Sequence, residues 1–144
     1  MFAGGDSVRV EVVGVFENRG GAGEDEERLP LLVLRDEAAR EVRVPVGSCE
    51  GFAIHLALQE QLAPRPLTHD LAVQLLRRLS VQLEHVLIDE AEEDGWGATL
   101  HLCGPEGPVA VEARPGDAVA IAVRSGAPVY VTEALIARPP SDTP

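Results

Sequence analysis

The hydrophobic period of this chain changes at Gly47-Ser48. Before that point apolar and polar residues alternate, as in Val8-Arg9-Val10-Glu11-Val12 and Val42-Arg43-Val44-Pro45-Val46. Beyond it, Ile54, Leu58 and Leu62 recur at a spacing of four. Alternation sends successive side chains to opposite faces of a strand, whereas a spacing of four keeps them on one face of a helix. Neither pattern can bury its apolar half in the other conformation. The chain must therefore begin as β-structure and turn helical in its second third.

The remaining elements follow from the same reading. Val8 to Phe16, Leu29 to Arg35 and Val42 to Val46 form a three-stranded meander, with a Gly- and acid-rich loop from Asn18 to Arg28 and a turn from Asp36 to Arg40. Ser48 is placed to cap the first helix, which Pro64 and Pro66 end because proline lacks the N–H that a helix interior requires. Thr68 is placed to cap a second helix with Asp70 in its first turn and Leu71, Leu75 and Leu79 as its buried stripe. Three strands follow, at Val81 to Asp89, Trp96 to Leu102 and Val109 to Glu112. Pro115 then opens a third helix, apolar nearly all round from Ala118 to Val123, which must be covered on most sides. Gly126 is its expected C-terminal cap, and Pro128 to Val131 is a last strand. Strands and helices come in runs, which predicts an α+β domain with mixed or antiparallel sheets and about three helices. The expected domain spans residues 8–136, between a flexible N-terminus (1–7) and a disordered Pro-rich tail (137–144).

Only 3% of the residues are aromatic, so the core must be Val, Leu, Ile and Ala, and a base-stacking surface is not on offer. The net charge is −12 and lysine is absent, which disfavours binding of phosphate backbones. The acids concentrate in two segments, Glu24 to Glu27 and Asp89 to Asp94, which read as solvated loop tips around a body close to neutral. Cys49 and Cys103 lie in no C-x-x-C pair, which argues against a structural zinc site and for a reducing cytoplasm. Cys49 reads as a small buried residue. Met1 to Ser7 lacks the features of a signal peptide, and no apolar run approaches the length of a membrane span. No Gly-rich phosphate loop indicates an organic cofactor.

Polar residues beside helix starts carry the functional expectations. Glu50, Asp70 and Asp117 each fall in the first turn of an expected helix, where a carboxylate complements the helix dipole and can accept orphan N–H groups. If the three helix starts converge, the same carboxylates become ligands for Mg²⁺ or Mn²⁺. Asp70 and Asp117, with His69 as acid or base, then form the catalytic set, and Arg65 and Arg114 the phosphate-binding pair. His55 reads as a surface residue, His85 and His101 as cross-strand fillers, and Trp96 as packing at a strand edge.

The heptapeptide Arg65-Pro66-Leu67-Thr68-His69-Asp70-Leu71, together with Gly47-Ser48-Cys49-Glu50-Gly51, Arg114-Pro115-Gly116-Asp117-Ala118 and Ala127-Pro128-Val129-Tyr130-Val131, resembles the bifunctional nuclease domain family. The resemblance implies an α+β domain, often oligomeric, acting on DNA and RNA. Gly116 stands where that family typically has serine. The competing expectation is a non-catalytic oligomeric binding module, in which Arg65 or Arg114 forms structural ion pairs with Asp70 or Asp117. Low-charge strands such as Leu31 to Leu34 and Val129 to Val131 are the expected contacts between copies.

Overall fold

The computed structural model describes residues 6–18, 29–61, 63–90 and 95–138. Leu62, the acids Glu24 to Glu27 and Glu92 to Asp94, and most of the two expected tails lie outside these residues. Seven strands and four helices follow one another as β1 (Ser7–Phe16), β2 (Leu31–Arg35), β3 (Glu41–Pro45), α1 (Ser48–Leu58), α2 (Thr68–Arg78), β4 (Gln82–Asp89), β5 (Gly97–Gly104), β6 (Gly107–Ala113), α3 (Pro115–Ser125), β7 (Val129–Thr132) and α4 (Glu133–Ile136). The result is a single α+β domain, as the runs of elements predicted.

All seven strands belong to one mixed sheet of order β3-β2-β1-β7-β4-β5-β6. The two meanders, β1-β2-β3 and β4-β5-β6, are antiparallel and meet through β7, which pairs antiparallel with β1 and parallel with β4. That parallel pair exists because β6 runs through α3 into β7, a crossover connection of the kind parallel strands need. β7 is thus the keystone of the sheet. The expected role of Leu31 to Leu34 and Val129 to Val131 as contacts between copies is therefore corrected: β2 and β7 are interior strands, already paired on both sides.

α1 packs on β1 and on α3, α3 packs on β4 and β5, and α2 packs on α3. The core between helices and sheet is aliphatic, with Leu32, Leu34, Val42, Val44, Ile54, Val86, Ile88, Val119 and Val131 fully buried. Each such side chain contributes about 1.5–3 kcal/mol of burial. α3 meets the demand set by its all-round apolar sequence, since Ala118, Val119, Ala120 and Ala122 are buried between the sheet and the other helices. Gly126 ends it in the left-handed conformation, at φ 70°. Beyond β7, α4 is an element the sequence pattern did not disclose. Its Glu133 receives two hydrogen bonds from Arg40, at 2.6 and 3.0 Å, which clip α4 to the β2–β3 turn.

The expected burial of α2 is reversed. Leu71, Leu75 and Leu79 are each at least half exposed, while His69 and Val73 are buried and Leu76 partly so. The helix packs through the face one-third of a turn away, because the sheet is already covered by α3 and the start of α2 must bring His69 inward. The caps also shift by one residue. Gly47 and Leu67 occupy the N-cap positions, with no side-chain bond from either, so Ser48 and Thr68 are the first helical residues. Cys49, expected buried, is exposed.

Candidate functional site

Four of the singled-out side chains, Glu50, His69, Arg114 and Asp117, are drawn together at the helix starts by the packing of α1 and α2 against α3. Arg114 is the N-cap of α3, and Pro115 is its first residue, so the backbone there is set for a helix before any hydrogen bond forms. Asp117, in that first turn, extends one carboxylate oxygen to each side. Oδ1 lies 2.7 Å from His69 Nε2, and Oδ2 accepts from Arg114 Nε at 3.0 Å. Arg114 Nη2 is 3.0 Å from the same Oδ2 and 3.5 Å from Glu50 Oε1. Glu50 and His69 are the two buried polar residues among those described, at 7% and 8% exposure, while the Arg114 side chain is 74% exposed. The arrangement is a buried acid and a buried imidazole on either side of an aspartate, under an arginine open to solvent.

Electrostatics fix the protonation pattern. Burial alone would raise the Asp117 carboxyl, but hydrogen bonds from His69 and Arg114 outweigh it and hold the group below its ordinary value. Asp117 is therefore a carboxylate, which can only accept. The proton of the hydrogen bond sits on His69 Nε2, and in the neutral ring Nδ1 carries the lone pair. Nδ1 has no hydrogen-bond partner among the described residues. A histidine whose tautomer is fixed by a carboxylate, with the other nitrogen available, is the arrangement of a general base and its orienting acid.

Asp70 belongs to a different cluster. Its Oδ2 accepts the Leu67 N–H at 2.9 Å and its Oδ1 accepts Arg124 Nε at 2.6 Å. The first bond closes the start of α2 and the second ties α2 to the far end of α3. Arg124, which sequence reasoning passed over, also reaches back to the Ala120 carbonyl at 3.0 Å. Its one sequence signal was position: apart from Asp117 it is the only charge in an otherwise apolar helix. Arg65 is exposed and makes no hydrogen bond or ion pair among the described residues.

The three helix-start carboxylates thus do not converge. Among the described residues no group of three or more His, Cys, Asp or Glu side chains could hold a metal ion. Asp70 is engaged by Arg124, and Glu50 and Asp117 flank a guanidinium, which is a poor setting for a dication. His55 is exposed, and His85 pairs with His101 across β4 and β5 with the rings stacked 4.3 Å apart. Burial, followed by the charge of His101, lowers the His85 pKa. No described helix is long and apolar enough to cross a membrane.

Comparison with known sequences points the same way as the heptapeptide. Two curated relatives, uncharacterized proteins from two strains of Mycobacterium tuberculosis, are 39% identical to this chain over 116 residues, covering 80% of it and 69% of their own length. The bifunctional nuclease domain profile matches residues 32–142, a span running from β2 past α4 and holding Glu50, Arg65, His69, Asp70, Arg114 and Asp117. The chain belongs to the bifunctional nuclease domain family.

Proposed function

We propose that this protein is a nuclease of low sequence specificity, in which His69 is the acid–base residue, Asp117 orients it and Arg114 binds the scissile phosphate. The observation that carries the reading is the 2.7 Å contact between His69 Nε2 and Asp117 Oδ1, with Arg114 on the other oxygen of the same carboxylate. The exposed guanidinium offers the planar fork that suits phosphate oxygens. On RNA, Nδ1 takes the proton of the 2′-hydroxyl as that oxygen attacks phosphorus, the P–O5′ bond breaks to leave a 2′,3′-cyclic phosphate, and the 5′-oxygen takes a proton from water. DNA has no 2′-hydroxyl, so its hydrolysis needs an activated water. Mg²⁺ or Mn²⁺ is proposed for that reaction, although Asp70 is engaged by Arg124 and Glu50 and Asp117 flank Arg114, so the three carboxylates are not gathered to hold it.

The net charge of −12 opposes contact with a long polyanion. Four of the exposed arginines, Arg65, Arg77, Arg78 and Arg114, lie on the helical layer or beside it, which supports short, local engagement of a strand. The test is cleavage of labelled single-stranded RNA and DNA by purified protein, with Mg²⁺, with Mn²⁺ and with chelator. Chelator-resistant RNA cleavage lost in His69→Ala upholds the assignment. Absence of cleavage above a mock preparation under all three conditions overturns it.

The rival reading, a binding module with structural ion pairs, is favoured by one observation. Both oxygens of Asp70 are satisfied by Leu67 and Arg124, so that carboxylate serves as cap and bridge. A self-associating domain is part of either reading, supported by the exposed leucines of α2 and by Val109 and Val111 on the edge strand β6. A cytoplasmic setting is proposed on the two free cysteines.

A further inference from the structure

Beside Asp70, the residue that follows His69, lies a groove of ≈ 520 Å³, formed by the end of α1, the proline segment before α2, α2 itself and the end of α3. Arg124 is among its lining residues, with its side chain only 9% exposed. Two of its nitrogens are engaged, Nε by Asp70 and Nη1 by the Ala120 carbonyl. Nη2 has no partner among the described residues. Nη2 is not among the fully buried unpaired atoms, so it opens toward the groove and keeps its donors for an acceptor from outside.

The rest of the lining narrows what that acceptor belongs to. Pro66, Val73 and Val123 are apolar, and Gln61 and Gln74 bring amides that both donate and accept. Two cations, Arg77 and Arg124, face two acids, Asp70 and Glu60. That balance suits a ligand with a single anionic group on a flat polar body, and it disfavours a polyphosphate. The groove also lies close to the proposed site of cleavage. Asp70 follows His69 directly, and their partners Arg124 and Asp117 stand seven positions apart on α3, roughly 10 Å along its axis. Arg65, which has no partner among the described residues, adjoins the lining residue Pro66 in sequence.

We infer that this groove is a nucleotide subsite, in which the apolar walls and glutamine amides hold a base while Arg77 and Arg124 Nη2 bind its phosphate. The choice of a nucleotide rests on the nuclease reading; the groove and its unbonded donor do not. The subsite holds the unit neighbouring the one that is cut, and it gives the enzyme a grip on a strand without aromatic stacking.

Titration of the intact protein with each of the four 5′-ribonucleoside monophosphates, followed by calorimetry or by amide chemical shifts, tests this directly. At least one should bind at up to millimolar concentration, and Arg77→Ala and Gln74→Ala, both at exposed positions, should each weaken binding at least fivefold with an unchanged melting temperature. His69→Ala should lower cleavage by about 10²–10⁴-fold and leave mononucleotide binding intact. Saturable binding that the two groove variants weaken, in a protein that never cleaves, still upholds the subsite while removing the nuclease assignment. Failure of all four nucleotides to bind, or binding indifferent to both groove substitutions, overturns the subsite even if RNA is cleaved.

Discussion

Gly116 lies so close to Glu50 that a Cβ added to the glycine would stand 2.8 Å from the Glu50 Cβ and 3.1 Å from Val46 Cγ1. The contact brings the first turns of α1 and α3 together and thereby sets Glu50 beneath Arg114. Neither obstructing atom is the free end of a flexible chain, so a larger residue must push the helices apart. Gly116→Ala and Gly116→Ser should each lower stability by about 1–3 kcal/mol, the usual cost of overpacking. Urea denaturation at fixed pH measures this, and an unchanged midpoint would show that the helix starts can separate freely.

His69→Ala and Asp117→Asn separate catalysis from scaffolding. A lost acid–base residue typically costs 10²–10⁴-fold in rate, so RNA cleavage should fall by about that factor in both variants. In Asp117→Asn the side chain can still bond the ring, yet it no longer holds the proton on Nε2. Its pH–rate profile should therefore change along with its rate. A variant that melts earlier and cleaves as before would assign both residues to structure alone.

Acid should unfold the protein through the paired carboxylates. For Asp70 and for Asp117 burial would raise the pKa, but hydrogen bonds from Arg124 and the Leu67 N–H in the first case, and from His69 and Arg114 in the second, leave both groups below their ordinary 3.8. A group with a lower pKa in the folded state contributes stability that is complete above its unfolded pKa and is lost as pH falls through the folded one. The melting temperature should thus decline on acidification below about pH 4, and Asp70→Asn should flatten part of that decline. Circular dichroism melts between pH 6 and pH 2.5 are sufficient to see it.

Self-association should depend on β6. Val111→Lys places a charge on the one strand whose residues are exposed along most of its length, and it should shift the protein to monomer in light scattering without altering its spectrum. An equally charged change on β3, such as Val42→Lys, would instead strike the buried core.

Period and punctuation in the sequence were enough to place ten of the eleven described elements, because most boundaries are marked by proline, glycine, a run of acids or a change of spacing. α4 was missed since four residues cannot establish a helical period. The order of strands was not legible either, as nothing local in Val129–Thr132 says that it pairs with both β1 and β4. The leucines of α2 misled for a related reason. Their spacing of four is genuine, but spacing says only that residues share a face, and which face is buried depends on α3. The site divided along the same line. Residue types at helix starts singled out His69, Asp117 and Arg114, whereas the transfer of Asp70 to Arg124 depends on how two helices cross.

The seven-stranded sheet has two unlike ends. At β3 the rim carries Glu41, Arg43 and Pro45, and at β6 it carries Val109, Ala110 and Val111. A strip with one adhesive rim and one guarded rim joins a like strip once and then has nothing left to offer. The self-association proposed above, if it runs through β6, would therefore stop at a pair related by a twofold axis rather than grow into a fibre.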